Sequence, residues 1–281
     1  MEMMNFIENI AAKSAETNAP MAEDYVGEDG LLYCGKCHTK KQTRVTILGN
    51  EMTPYVTCKC RREEQNRIEQ ERLERERQER VERNRCICFP DRRLMDWTFE
   101  RCDNADDPIM ISMQRYCENF GKMYREGCGL ILFGNVGVGK TFAAACIANR
   151  LIDKGQRVYM TDFSRIINSL WGLSSGKQDF LDDLNRYDLL IIDDLAAERD
   201  TAYANEIVMN VIDSRYRSGK PLIVTTNLSA EEVFQPEGIR KQRIYSRLCQ
   251  MCMPVQFEGV KDRRKMKMSE NFAAYKEMLG L

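Results

Sequence analysis

The stretch from Gly129 to Thr141, GLILFGNVGVGKT, constrains this chain more than any other. Its first half is an apolar run of strand length. Its second half is rich in glycine and ends in Lys-Thr, at the head of a helix-like segment, FAAACIANRLIDKG. Gly134, Asn135, Val136, Gly137, Val138, Gly139, Lys140 and Thr141 fit G-x-x-x-x-G-K-[ST] in full. The glycines let the backbone curl so that its N–H groups point inward, and the helix start adds positive potential for an anion. The pattern therefore predicts a phosphate-binding loop: Lys140 reaches the β- and γ-phosphates of ATP, and the Thr141 hydroxyl meets Mg²⁺. An ordinary glycine-rich turn does not account for the Lys-Thr pair.

The rest of the C-terminal two-thirds agrees with that start. QRVYMTD (156–162), YDLLIID (187–193), PLIVTTN (221–227) and MPVQFEG (253–259) read as further strands. Helical stretches fall between them, across 163–186 and 202–218. Strands alternating with helices predict an α/β fold with a parallel five-stranded sheet covered on both faces. LLIID ends in Asp193, and an apolar strand ending in Asp is the usual partner of a phosphate loop. Asp193 is expected to hold Mg²⁺, and Asp194 to orient or deprotonate the attacking water. The competing reading of Asp194 is a helix N-cap or a surface acid. Mg²⁺ and nearby cations would offset the repulsion between the two carboxylates. Asn227, at the end of the next strand, is the candidate sensor of phosphate and water; a plain strand-end turn is its alternative.

Charge and cysteine content shape the other expectations. Lys and Arg number 42 and Asp and Glu 43, so any nucleic-acid contact must come from a local patch. No stretch approaches the ~18 apolar residues of a membrane span, and the N-terminus is too polar for a signal peptide. A cytoplasmic protein is expected. With 12 cysteines in a chain of 281 residues that lacks an export signal, free or metal-bound thiols are favoured over disulfides. Cys34-x-x-Cys37 and Cys58-x-Cys60 frame a β-rich stretch and predict a Zn²⁺ site. His38 is a substitute ligand, and Cys86-x-Cys88 would join only if the chain folds back. Cys102, Cys117, Cys128, Cys146, Cys249 and Cys252 read as small core residues. His38 is the sole histidine, which excludes histidine acid–base chemistry elsewhere. Residues 61–85 carry nine Arg, eight Glu and three apolar side chains, which predicts a solvated helical spacer with i,i+4 pairs such as Glu71–Arg75. The domain reading is a cysteine-rich module at 1–60, a charged linker at 61–89 and a nucleotide domain at 90–281.

GLILFGNVGVGKTFAAACIANRLIDKG, DLLIIDDLAAERDT, VIDSRYRSGKPLIVTTNLS and RIYSRLCQMCMPVQFEG together resemble the DnaC/DnaI/IstB branch of the AAA+ ATPases, most of all its bacterial and bacteriophage helicase loaders. The resemblance covers roughly residues 90–265. It implies an AAA+ core with little helical lid, an ATP-dependent homo-oligomer, and an arginine that reaches the neighbouring subunit's phosphate. In RIYSRL that arginine matches Arg247 first and Arg243 second. GVKDRR would supply a further phosphate-sensing arginine, Arg263 or Arg264. Many ATPases of the additional-strand type carry Glu where Asp194 stands, so looser water positioning is expected. The family usually has Gly where Ala196 stands, so altered turn geometry is expected, with activity retained. The resemblance also implies that the N-terminal module grips a replicative hexameric helicase of DnaB type, and that 163–186 faces single-stranded DNA. In that zone Phe163, Arg165, Trp171 and Lys177 are the candidates, although Phe163, Ile166, Ile167 and Leu170 read equally as a core-facing helix stripe. The implied activity is ATP-dependent helicase loading. A transposition helper of IstB type and a nucleotide-switched adaptor with little turnover are the alternatives.

Overall fold

The computed structural model describes residues 18–47, 49–89, 91–103, 106–171, 176–196, 201–258, 272, 275–276 and 278–279. The chain divides into two units, Met1–Gln78 and Glu79–Leu281.

The first unit holds two short antiparallel hairpins. β1 (Tyr25–Val26) pairs with β2 (Leu32–Tyr33), and β3 (Val45–Ile47) with β4 (Asn50–Met52). Its buried residues include Leu31, Cys34 and Cys58, together with the charged Lys41. So small an apolar core cannot hold strands of two or three residues, and such modules rely on cross-links or metal. Lys41 Nζ is neutralised by Asp24 at 2.5 Å and also donates to the Ala19 carbonyl at 3.0 Å.

A continuous helix, α1, runs from Lys59 to Cys88. Its exposed ion pairs include Glu64–Arg67, Glu69–Arg72 and Glu74–Arg77 at i,i+3 spacing, and Lys59–Glu63 and Arg72–Glu76 at i,i+4. Solvation is not complete along its length. Val81, one of the three apolar side chains of the Arg/Glu stretch, packs against the core of the second unit, and Cys88, just beyond that stretch, is fully buried there.

In the second unit, α2 (Pro108–Glu118) and α3 (Phe120–Glu126) precede β5 (Gly129–Gly134). Then follow α4 (Lys140–Asp153), β6 (Val158–Asp162), α5 (Phe163–Leu170), α6 (Lys177–Asn185) and β7 (Leu189–Leu195). The last elements are α7 (Ala202–Ser218), β8 (Leu222–Thr226), α8 (Ala230–Phe234), α9 (Ile239–Met251) and β9 (Cys252–Phe257). The five long strands form one parallel sheet in the order β6-β7-β8-β5-β9. Side chains alternate across it. Leu130 and Leu132 of β5 and Leu189 and Ile191 of β7 face α2 and α4. Ile131, Phe133, Leu190 and Ile192 face α5, α7 and α9.

The alternation breaks once. The register of β7 on β8 jumps from Ile192↔Val224 to Leu195↔Thr226, so one residue of β7 is extra. Leu195 therefore lies in the same layer as Ile192, while Asp193 keeps the parity of Ile191 and points to the layer of α4. This β-bulge separates the two adjacent acids: Asp193 stays in the strand pattern, and Asp194 takes a left-handed backbone, φ +53°. Among the described residues no helix is long and apolar enough to cross a membrane.

Candidate nucleotide and metal sites

The glycine loop links β5 to α4. Gly139 caps the helix at φ 101°, a conformation that side chains other than glycine's rarely adopt. Gly134 is required for a different reason: a Cβ there would lie 2.3 Å from the Phe257 carbonyl oxygen of β9. Lys140 is 5% exposed, and its Nζ donates to the carbonyls of Gly134 (2.8 Å) and Asn135 (2.7 Å) and to Asn227 Oδ1 (2.8 Å). Val138 is buried in the core under the loop, so it can offer a phosphate only its backbone N–H.

The Thr141 hydroxyl donates to Asp193 Oδ1 at 3.0 Å. The Thr225 hydroxyl donates to the same oxygen at 2.6 Å and accepts the Asp194 N–H at 2.9 Å. Burial pushes the Asp193 carboxyl above its ordinary value; the Thr225 hydrogen bond opposes the shift and the Asp194 charge adds to it. Asn227 Nδ2 lies 3.5 Å from Asp194 Oδ1. The predicted loop, Asp193, Asp194 and Asn227 thus meet in one place. Thr225, inside the quoted strand PLIVTTN, is the participant that sequence reasoning missed. Its signal was weak, since a buried threonine in a strand needs no function.

A cavity of about 470 Å³ opens over these groups. Val136, Gly137, Gly139, Lys140, Thr141, Asp194 and Asn227 line one part of it, and Asp96, Trp97, Arg101, Asp103 and Phe142 line the rest. Trp97 and Phe142 have ring centroids 5.6 Å apart. The turn that carries Trp97 is tied to α4 by buried Asn149, whose Nδ2 donates to the Leu94 and Trp97 carbonyls at 2.9 Å. Nothing in the pattern of residues 90–103 marked them as a wall of this site. The cavity joins a phosphate-binding end to an aromatic wall, which fits a nucleotide. The oxygen pair of Thr141 and Asp193 suits a hard divalent cation such as Mg²⁺, which supplies charge neutralisation to the β- and γ-phosphates when bound.

Arg247 and Arg243, the arginines expected to reach a neighbouring subunit's phosphate, do not line this chain's own cavity. Arg247 is held by Asp213, with Nε 3.2 Å from Oδ1, and its guanidinium lies 4.7 Å over the Tyr216 ring. Arg243 lines a separate groove between α7 and α9, with Arg240 and Glu206. Arg263 and Arg264 lie outside the described residues.

In the first unit, Cys34, Cys37, Cys58 and Cys60 bring their sulfurs within 4.8 Å of one another. Cys60 Sγ is 3.7 Å from Cys34 Sγ and 3.5 Å from Cys58 Sγ. Four thiolates around Zn²⁺ at ~2.3 Å have edges of about 3.8 Å, so the cluster has the size of a tetrahedral site. The crowding has an electrostatic signature: hydrogen bonding with Cys58 and Cys37 pushes the Cys60 thiol well up. A divalent cation would relieve it. His38 is exposed, with Nδ1 3.2 Å from the Tyr25 hydroxyl, and Cys88 is buried in the second unit; neither joins the four. Of the six cysteines read as core, Cys117, Cys146 and Cys252 are buried, Cys102 and Cys128 are half-buried, and Cys249 is exposed.

Sheet order, glycine loop and paired acids define a P-loop nucleotide-binding protein of the AAA+ type. The chain belongs to the family of IstB-like ATP binding proteins, whose model matches residues 62–270. It is 30% identical over 183 residues to the replicative helicase loader DnaI of Bacillus subtilis (strain 168), covering 59% of this chain and 58% of that protein. To the replicative helicase loader DnaC of Escherichia coli (strain K12) it is 29% identical over 114 residues, covering 39% of this chain and 46% of that one. The chain thus matches about half the length of these relatives. In fold it is similar to the crystal structure of DnaI, with TM-score 0.52, 23% identity, and 64% and 99% of the two chains covered. The crystal structure of the DnaC helicase loader gives 0.50 and 23%, over 60% and 100%.

Proposed function

We propose that this protein is an ATPase that delivers a replicative hexameric helicase of DnaB type to single-stranded DNA. The observation that carries the reading is the convergence of Lys140, Thr141, Asp194 and Asn227 on one nucleotide-sized cavity, with Asp193 hydrogen-bonded to Thr141. The similarity to helicase loaders supports the choice of partner. In this reading Lys140 neutralises the phosphates, Thr141 and Asp193 hold Mg²⁺, and Asp194 and Asn227 orient the attacking water. Turnover measured with and without single-stranded DNA, and again with Lys140→Ala, tests the motor; normal hydrolysis by Lys140→Ala overturns the site. Co-purification with a DnaB-type helicase in the presence of ATP tests the partner, and no binding in any nucleotide state overturns the loader.

Several parts extend the same reading. Residues 1–60 form the helicase-gripping module, folded around Zn²⁺ on Cys34, Cys37, Cys58 and Cys60. One equivalent of zinc per chain, lost with Cys58→Ser, is the expected analysis. Residues 61–89 are the linker and 90–281 the motor. Trp171 is 72% exposed and sits edge-on to Tyr203 at 5.3 Å, and Lys177 Nζ lies 5.5 Å from the centroid of that Tyr203 ring. This group offers single-stranded DNA a stacking surface beside a cation, whereas Phe163 is buried in the core. Trp171→Ala is expected to weaken DNA binding about tenfold or more. The homo-oligomer forms when Arg247 leaves Asp213 for the neighbour's phosphate. Arg243, in the open groove, is the competing residue, and single alanine variants scored for oligomer-dependent turnover separate the two. A transposition helper is the second reading, favoured by the IstB-like family match; capture of a transposase in place of the helicase selects it.

A further inference from the structure

Thr225 is 0% exposed and sits where the β7–β8 register is broken. The bulge removes Asp194 from the regular ladder, and its N–H is received by the Thr225 side chain at 2.9 Å. A hydroxyl has one proton. With its oxygen accepting from Asp194, that proton is directed to Asp193 Oδ1 at 2.6 Å. The same carboxylate oxygen accepts from Thr141 at 3.0 Å. Thr225 therefore touches both halves of the acid pair, one through its carboxylate and the other through its backbone. The left-handed backbone of Asp194 sends its carboxylate to Asn227 and the cavity, and one buried oxygen pins that backbone to the carboxylate facing Thr141.

We propose that Thr225 is a positioning residue that couples the metal-side carboxylate of Asp193 to the backbone conformation of Asp194, so that both acids are set together. The proposal rests on the ATPase reading of the site. Thr225→Ser keeps both hydrogen bonds. Thr225→Val keeps the branched shape and deletes both.

The decisive experiment compares the two variants in the full chain by three readouts. The first is hydrogen exchange of the Asp194 amide without nucleotide or metal. The second is nucleotide affinity with and without Mg²⁺, and the third is ATP turnover. Thr225→Val is expected to lose amide protection at Asp194, to need about tenfold more Mg²⁺ for half-saturation, and to fall about 10- to 100-fold in turnover. Its Mg²⁺-free nucleotide affinity stays within about threefold, since the phosphate loop is untouched. Thr225→Ser stays near wild type throughout. Unchanged exchange and Mg²⁺ requirement in Thr225→Val overturn the proposal, as does an equal loss in Thr225→Ser. Should Thr225→Val fail to fold, Thr225→Ala against Thr225→Ser makes the same comparison. Wild type without turnover would sink the ATPase reading alone, because the exchange and Mg²⁺-binding readouts still decide the role of Thr225.

Discussion

Lys140 Nζ donates to Asn227 Oδ1 at 2.8 Å, joining the phosphate loop to the end of β8 across 87 residues of sequence. Asn227 also lies within 3.5 Å of Asp194, so one amide touches both the cation and the candidate water-orienting acid. Asn227→Ala is expected to keep nucleotide affinity within a few-fold and to lower turnover about 100-fold, the range for a group acting mainly in the transition state. Lys140→Ala, by contrast, loses binding itself. Equilibrium titration and single-turnover kinetics on both variants check the split; a parallel loss of affinity and rate in Asn227→Ala would place that residue in ground-state binding.

Asp194→Asn isolates the second acid. It keeps the shape and the bulge, and removes the charge that would direct or accept a proton from water. Turnover is expected to be abolished with ATP binding intact. Unchanged turnover would return Asp194 to a surface role.

Ala196 has φ +73°, in the left-handed region where a Cβ is strained. Ala196→Gly is therefore expected to stabilise the second unit by about 1 kcal/mol, which raises Tm by ~2–4 °C for a domain of this size. Differential scanning calorimetry measures it, and a lower Tm would show that the turn has adapted to alanine.

Asp24 and Lys41 form a buried ion pair in the first unit. Burial raises the Asp24 carboxyl, but Lys41 and the Met21 and Gly35 amides more than reverse this and hold it below its ordinary 3.8. A carboxyl depressed in the folded state adds stability that is complete above the unfolded pKa and is lost as pH falls through the folded one. Asp24→Asn should destabilise at neutral pH, and its deficit against wild type should shrink below about pH 4. Denaturant melts of both proteins across that range test the sign, and a deficit that widens in acid would contradict it.

Arg215 is fully buried, and its guanidinium donates to the carbonyls of Leu184, Tyr187, Asp188 and Pro221. Burial pushes its pKa down to about 10, which leaves it charged at neutral pH. Arg215→Lys cannot reproduce the planar fork and should cost at least ~2 kcal/mol in a chemical melt, with nucleotide affinity unchanged. A neutral result would mean that water replaces the missing donors.

The sequence by itself determined what local pattern controls. The glycine loop, the five strands and the helix at 202–218 were legible because hydrophobic periodicity and glycine placement act over a few residues. Within each cysteine pair the short spacing already limits how far the thiols can separate, whereas the meeting of the two pairs is a product of the fold. Tertiary structure decided what depends on register between distant strands. Asp193 and Asp194 are adjacent in sequence, yet a single extra residue in β7 aims one at Thr141 and leaves the other in a left-handed turn. Thr225 enters only because it lies beside that bulge, and Trp97 and Phe142 line one cavity only because Asn149 ties their segments together. Arg247 differs again: the resemblance assigns it to a neighbouring subunit's phosphate, and within one chain its guanidinium rests on Asp213. A periodic pattern fixes which face a side chain takes, but the partner on that face is set by packing between elements far apart in the chain.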